Sequence, residues 1–325
     1  MTDDRTPAPL PITVVGSVNH DVVHRVHRLP RPGETVHAVD VTDGLGGKGA
    51  NQAVAAARLG GRVRLVAAVG HDGDPVLAAL RREGVEVAAR VVTDVRTGSA
   101  TVVVDDDADN VVVVCAGANG HLAPHDVPPT IGGVLLVQHE VPDAVVARAV
   151  REAAPGTLVL LNPAPYRTVP PSVLARVDVL VLNQTELALL VGAAPPRTVQ
   201  EAHRLLLAAG RRAGAAVVAT LGADGALLHD GTGLRHVPGV TVHAVDTVGA
   251  GDTFCGALAA ALARGEDLHR AVVLGVHAAA LAVTAPGAQG GMPDEAELRD
   301  LLIRTGSLVD PAPPDPADRT RPGRG

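Results

Sequence analysis

The segment Val245-Asp-Thr-Val-Gly-Ala-Gly-Asp-Thr-Phe254 leads into an alanine-rich stretch of helical composition running to about Arg264. Gly249, Ala250 and Gly251 would place free amides at that helix's N-terminus, aimed at an anion, with the macrodipole adding to the attraction. Phosphate is the anion such a loop takes. Asp252 falls in the first turn, where a carboxylate can cap the helix or complement its dipole. Beside a bound phosphate it has a second use, as the base that deprotonates an attacking hydroxyl while the amides stabilise charge on the transferred phosphoryl group. The helix rule alone leaves both readings open.

A second glycine-dense segment, Asp43-Gly-Leu-Gly-Gly-Lys-Gly-Ala-Asn51, also opens into a helical stretch. Its Gly44, Gly46 and Gly49 spell G-x-G-x-x-G. A dinucleotide fingerprint would follow the first buried strand, whereas the strand expected here is the polar Val36 to Thr42. Lys48 is followed by Gly49 rather than by a Ser or Thr that would hold magnesium, so the segment is no Walker A loop. The glycines equally suit close helix–sheet packing. Lys48 is nevertheless the only lysine among 28 basic side chains, and its compact head with three rotatable donors can work in a tight loop where a planar guanidinium cannot.

Polar residues also stand just past apolar runs: Asn19 and Asp21 after the first, Glu140 after Val134 to Val137, and Asn183 and Glu186 after Val179 to Leu182. Ligands of parallel sheets bind beyond the carboxyl ends of the strands, where such side chains can hydrogen-bond a polyol. Asn19 and Asp21 read equally as turn residues, and Asn183 with Glu186 as a helix capping box. The histidines show no H-E-x-x-H or paired-cysteine spacing, and no G-x-S-x-G elbow occurs, which argues against structural zinc and serine-hydrolase chemistry.

The elements that must position these residues follow an alternating pattern. Apolar, β-branched runs at Ile12 to Val15, Val63 to Val69, Val111 to Val114, Val134 to Val137, Leu158 to Leu161, Val179 to Leu182 and Ala216 to Ala219 read as strands. Helical stretches at Asn51 to Leu59, Asp143 to Ala154 and Val199 to Ala213 lie among them. The alternation predicts an α/β fold, a mostly parallel sheet with helices on both faces. Asp21 to Thr42 and Arg96 to Val114 break the rhythm and suit a small antiparallel subdomain.

Ala271 to Ala285 is too short for the roughly 18 to 20 residues of a membrane span and reads as a buried helix. Pro311 to Gly325 has the composition of a disordered tail. A net charge of −7 and only two aromatic residues, Tyr166 and Phe254, argue against nucleic acid as a partner. Met1 to Pro11 carries no signal-peptide pattern, and two distant cysteines, Cys115 and Cys255, suit buried thiols in a reducing cytoplasm.

Taken together, GGKGAN at Gly46 to Asn51 and DTVGAGDTF at Asp246 to Phe254 resemble the two signatures of the PfkB, or ribokinase-like, family of sugar kinases. The likeness runs from about Ile12 to Leu302. The stretches GSVNHD at Gly16 to Asp21, AGAN at Ala116 to Asn119, NPAP at Asn162 to Pro165 and GAQ at Gly287 to Gln289 are similar to the ribose-phosphorylating branch. The resemblance implies a three-layer α/β kinase domain over 1–308, a small β-sheet lid from about 20–43 and 96–116, and a tail at 309–325. It implies ATP-dependent transfer to the primary hydroxyl of D-ribose, with Asp252 as base and Gly249, Ala250 and Gly251 as anion hole.

By the same resemblance Asn19, Asp21, Gly47, Lys48, Asn51 and Glu140 match sugar-binding positions. Asn183, Thr220, Gly222, Gly225 and Gly251 match nucleotide positions, and Glu186 matches one associated with Mg²⁺ and phosphate. Asp246, Val248, Ala282, Ala285, Gly287 and Gly291 match a K⁺ site, where Ala285 and Gly291 replace larger or hydroxyl-bearing residues. A cytoplasmic homodimer joined through the lid is also implied. Alternatives within the family are kinases for deoxyribose, fructose, a keto-deoxy sugar acid or a nucleoside; outside it stand an NAD-dependent oxidoreductase and a non-catalytic sugar sensor.

Overall fold

The computed structural model describes residues 8–107 and 109–308, so the tail expected at 309–325 lies outside the described residues. In chain order the strands are β1 (Ile12–Val15), β2 (Asn19–Arg25), β3 (Asp40–Gly46), β4 (Val63–Gly70), β5 (Glu86–Val92), β6 (Ser99–Val104), β7 (Asn110–Cys115), β8 (Val134–Gln138), β9 (Leu158–Asn162), β10 (Val179–Asn183), β11 (Ala216–Thr220), β12 (Ala226–His229) and β13 (Leu234–Val237). The α-helices are α1 (Lys48–Arg58), α2 (Asp74–Arg82), α3 (Asp143–Arg151), α4 (Pro171–Leu174), α5 (Gln184–Val191), α6 (Val199–Ala213), α7 (Ala250–Ala263), α8 (Leu268–Ala282) and α9 (Glu295–Arg304).

Nine strands form the main sheet in the order β13-β12-β11-β10-β9-β8-β1-β4-β5. Every pairing from β11 to β5 is parallel, and β12 and β13 add an antiparallel edge. The central strands are apolar on both faces because both are covered. One buried cluster gathers α1, α7 and α8 over one face, and a second gathers α3, α5 and α6 over the other. Local chemistry sets the helix limits: Thr198 accepts the Glu201 amide at the start of α6, and left-handed Gly214 ends it. α7 is buried nearly all round, as its alanine-rich sequence permits.

The remaining strands make a separate sheet in the order β3-β2-β6-β7, in which β2–β3 and β6–β7 are antiparallel and β2–β6 is parallel. The strand expected at Val36 to Thr42 instead occupies Asp40 to Gly46. Residue-by-residue pairing with β2, from Arg25 opposite Asp40 to Asn19 opposite Gly46, fixes that register against local β propensity. Cys115, expected to be buried, is exposed at the end of edge strand β7, whereas Cys255 is buried in α7. The buried helix read at Ala271 to Ala285 starts at Leu268, where the Asp267 side chain accepts the Arg270 amide, and stops at Ala282. Among the described residues no helix is long and apolar enough to cross a membrane.

Candidate active site

Both glycine segments end at helix N-termini that meet beyond the carboxyl ends of the parallel strands. Gly249 caps α7 with φ 79°, and Gly47 caps α1 with φ 87°, conformations in which a side chain would be strained. First-turn amides lack partners within their own helix. The Ala250 amide already reaches the Thr247 carbonyl at 3.3 Å, so the amides most open to an anion are those of its neighbours.

Asp252, at the third position of α7, makes no cap hydrogen bond. This corrects the capping reading. Its Oδ2 accepts from Asn51 Nδ2 at 3.1 Å and its Oδ1 from Gln52 Nε2 at 2.9 Å. The carboxylate is thereby bound to α1, although the chain separation is about three-fifths of the sequence.

A cleft of about 660 Å³ opens beside Asp252. Lys48, Asn183, Glu186, Thr220, Gly222, Gly225 and the Gly249-Ala250-Gly251 turn line it with Asp252. Val240, Val242, Val276, Ala279, Ala280 and Val283 add an apolar wall suited to a flat, weakly polar ring. Asn183 and Glu186 do form the capping box of α5, each accepting the other's amide at 2.8 Å. That bond uses Glu186 Oε2 and leaves Oε1 available to the cleft.

The expected sugar residues form a second group joined to the first through α1. Glu140 Oε2 accepts the Lys48 amide at 2.9 Å and the Ser17 hydroxyl at 2.5 Å. Asn119 holds the strand end, accepting the Val18 amide through Oδ1 and donating to Asn19 Oδ1 at 2.8 Å. Asp21 Oδ1 accepts the Ala100 amide at 3.0 Å, which ties β2 to β6. Asn19, Asp21, Gly47, Asn51 and Glu140 are not part of the cleft lining; Lys48 and Asp252 are the members shared by both groups.

Charge is concentrated here. The Asp252 carboxylate, ahead of Glu140 and Glu186, raises the Lys48 ammonium's pKa above its ordinary value despite burial. Burial pushes Glu186 up, and burial with help from Glu140 pushes Asp21 to about 6. A lone buried ammonium shared by several carboxylates is suited to bridge the negative groups of a phosphoryl transfer.

The six positions expected around a monovalent cation lie outside the cleft lining. Asp246 zips their two loops together, Oδ1 accepting the Val248 amide at 2.9 Å and Oδ2 the Gly287 amide at 2.8 Å. A Cβ at Gly291 would stand 2.3 Å from the Ala282 carbonyl, and one at Gly249 would stand 2.3 Å from that of Ala288. The second loop therefore backs directly onto the α7 N-terminus. Ala285 belongs to the same loop and contributes only backbone polarity.

The dinucleotide reading fails on geometry. β3, which carries Gly44 and Gly46, belongs to the small sheet rather than to the first buried strand of a βαβ unit. Gly49 answers instead to packing, since a Cβ there would lie 2.5 Å from the Ser17 amide.

Several residues that hold the site were not singled out by sequence: Ser17, Gln52, Gln138 and Gln289 among them. Gln138 offered a signal, a polar residue closing the apolar strand Val-Leu-Leu-Val-Gln.

Residues 11–295 match the pfkB family carbohydrate kinase profile. The chain is 35% identical over 302 residues to a ribokinase of Haemophilus influenzae, covering 90% of this chain and 98% of that one. It is 36% identical over 300 residues to a ribokinase of Bacillus subtilis, covering 90% and 99%. The structure of Arabidopsis thaliana ribokinase complexed with ribose and ATP superposes with a TM-score of 0.81 at 31% identity, covering 91% of this chain and 99% of that one. The two helix N-termini, the shared lysine and the clamped aspartate thus sit in a fold and a sequence that agree end to end: the chain belongs to the pfkB family of carbohydrate kinases.

Proposed function

We propose that the chain phosphorylates the primary hydroxyl of D-ribose with ATP, giving D-ribose 5-phosphate and ADP. The observation that carries this reading is the position of Asp252, which lies on the cleft wall beside the α7 N-terminus and touches the α1 residues that lead to the sugar group. The nucleotide occupies the cleft, its ring against Val276 and Ala279 and its phosphates toward the Gly249-Gly251 amides. Ribose lies against Asn19, Asp21, Gly47, Lys48, Asn51 and Glu140. Asp252 takes the hydroxyl proton as that oxygen attacks the γ-phosphorus, the bond to the bridging oxygen breaks, and ADP leaves. Lys48 and the α7 amides hold the developing charge.

Among the described residues no cluster of three or more His, Cys, Asp or Glu side chains could cage a metal. The donor set fits Mg²⁺ that arrives on the nucleotide, because this ion keeps its waters and needs only one or two carboxylates plus phosphates. Glu186 and Asp252 are the carboxylates lining the cleft. Bound there, Mg²⁺ neutralises phosphate charge. For K⁺, the Asp246 carboxylate and the Ala282 carbonyl, uncovered by the missing Cβ of Gly291, supply the hard oxygens that ion takes. The small sheet serves as a lid over the sugar, and Val111 to Val114 of edge strand β7, exposed on both faces, support a homodimer through it.

ADP release measured with Mg-ATP and D-ribose, 2-deoxyribose, fructose or adenosine, with and without K⁺, tests the reading. Ribose-dependent turnover raised by K⁺ is expected; turnover confined to another acceptor would overturn the substrate assignment. Asp252→Asn should keep ribose and ATP binding and lose turnover by about 10²- to 10⁴-fold, the range of general base catalysis. Ordinary turnover in that variant removes the base assignment.

A further inference from the structure

Each oxygen of Asp252 is held by one carboxamide, and each of those carboxamides is held by others. Gln52 Nε2 donates to Asp252 Oδ1 and also faces Asn162 Oδ1 at 3.2 Å, while Gln52 Oε1 accepts from Gln138 Nε2 at 2.6 Å. On the other side Asn51 Nδ2 donates to Asp252 Oδ2, while Asn51 Oδ1 accepts from Gln289 Nε2 at 2.9 Å. The polarity of the first arm is fixed by Asn162 and by the Asp252 carboxylate. Asn162 Nδ2 donates to the Val181 carbonyl at 3.0 Å, so its oxygen must face Gln52, and Gln138 presents its N–H to the Gln52 oxygen. A flipped Gln52 would set its oxygen against both the Asp252 carboxylate and Asn162.

Gln52 and Gln138 are both 0% exposed. Among the described residues Gln138 Oε1 has no hydrogen-bond partner. A buried orphan acceptor costs stability, and its retention at the remote end of this chain of amides points away from a purely structural role.

We propose that Gln52 is a positioning residue for Asp252 and that Gln138 acts through it, holding the Gln52 amide in place by its bond to Oε1. This rests on Asp252 being the base. The arm holds Oδ1 while Asn51 holds Oδ2, and together they fix the carboxylate on the cleft wall; a displacement of about 1 Å there costs on the order of 10²-fold in rate. Neither glutamine lines the cleft, so nucleotide binding does not depend on them.

The test is Gln52→Leu, Gln138→Leu and the double variant, with steady-state kinetics for ribose and ATP and thermal unfolding of each. Gln138→Leu exchanges one orphan acceptor, its own Oε1, for another, that of Gln52, and so should fold like the wild type. We expect kcat to fall about 10- to 100-fold in each single variant with both KM values unchanged. Because Gln138 works only through Gln52, the double variant should be no slower than Gln52→Leu. Wild-type kcat in Gln138→Leu, a change confined to KM, or losses that multiply in the double variant would overturn the proposal. Should Gln52→Leu fail to fold, Gln138→Leu decides alone. Normal turnover in Asp252→Asn would instead remove the base reading, which separates the two failures.

Discussion

Asp21 should destabilise the protein at neutral pH, and Asp21→Asn should reveal by how much. Burial pushes its carboxyl from an ordinary 3.8 to about 6, against the opposing pull of the Ala100 amide. An acid whose pKa is higher in the folded state binds more protons folded than unfolded between those two values, so stability falls as pH rises from 3.8 to 6 and the cost is then constant. At about 1.36 kcal/mol per pH unit the full cost is about 3 kcal/mol, an upper figure for a half-buried group that keeps some solvent contact. Asparagine retains an oxygen for the Ala100 amide and has no charge to bury. Urea unfolding at pH 4 and pH 7.5 should therefore show the variant more stable at pH 7.5, by up to about 3 kcal/mol, with the gap closing at pH 4. If Asp21 accepts a sugar hydroxyl as proposed, the KM for sugar in the same variant should be high and flat with pH, whereas the wild type's rises as pH drops through about 6. A stability difference that does not change with pH, or a variant less stable at pH 7.5, refutes the argument.

Lys48→Arg should fail to restore the turnover lost in Lys48→Met, each lying on the order of 10²-fold below wild type, because the site requires a compact donor; wild-type kcat in the arginine variant would refute this. Asp252 holds the Lys48 ammonium's pKa above its ordinary 10.5, so a pH–rate profile should show no alkaline loss from that group below pH 10. Gly256→Ala sets a Cβ 2.6 Å from both the Ala55 Cβ and the Gln52 carbonyl. Overpacking of about 1–3 kcal/mol outweighs the roughly 1 kcal/mol alanine gains in a helix, so thermal unfolding should occur at lower temperature; a raised midpoint would show that α1 and α7 can part without cost.

The parallel core was legible because strands buried on both faces must be apolar throughout, and β1, β8, β9, β10 and β11 lie where those runs fall, each to within a residue at its end. β5 was not, since Arg90 and exposed Val91 blur its pattern at the sheet edge, and the short antiparallel pair β12 and β13 carries no long apolar run. In the small sheet no face is fully buried, so hydropathy does not set register; pairing does, and the strand before α1 shifted accordingly. The Gly249-Ala250-Gly251 turn and Asp252 were readable because helix N-termini are local. The amides around Asp252 were not, since Gln52, Gln138 and Gln289 stand on three separate elements and acquire a shared purpose only in the fold.

Two kinds of mounting divide the site. Asp252 is seated where β1, α1 and α7 meet at backbone distance: Gly49 lets α1 touch the Ser17 amide, and Gly256 lets α7 touch the Gln52 carbonyl. Those contacts tie Asp252, its amides and Lys48 to one backbone frame. Asp21 belongs to the other mounting, because its carboxylate is tied to β6 of the small sheet through Ala100. If that sheet closes over the sugar as proposed, Asp21 moves with it. Substitutions in the small sheet should therefore alter KM for the acceptor before they alter kcat.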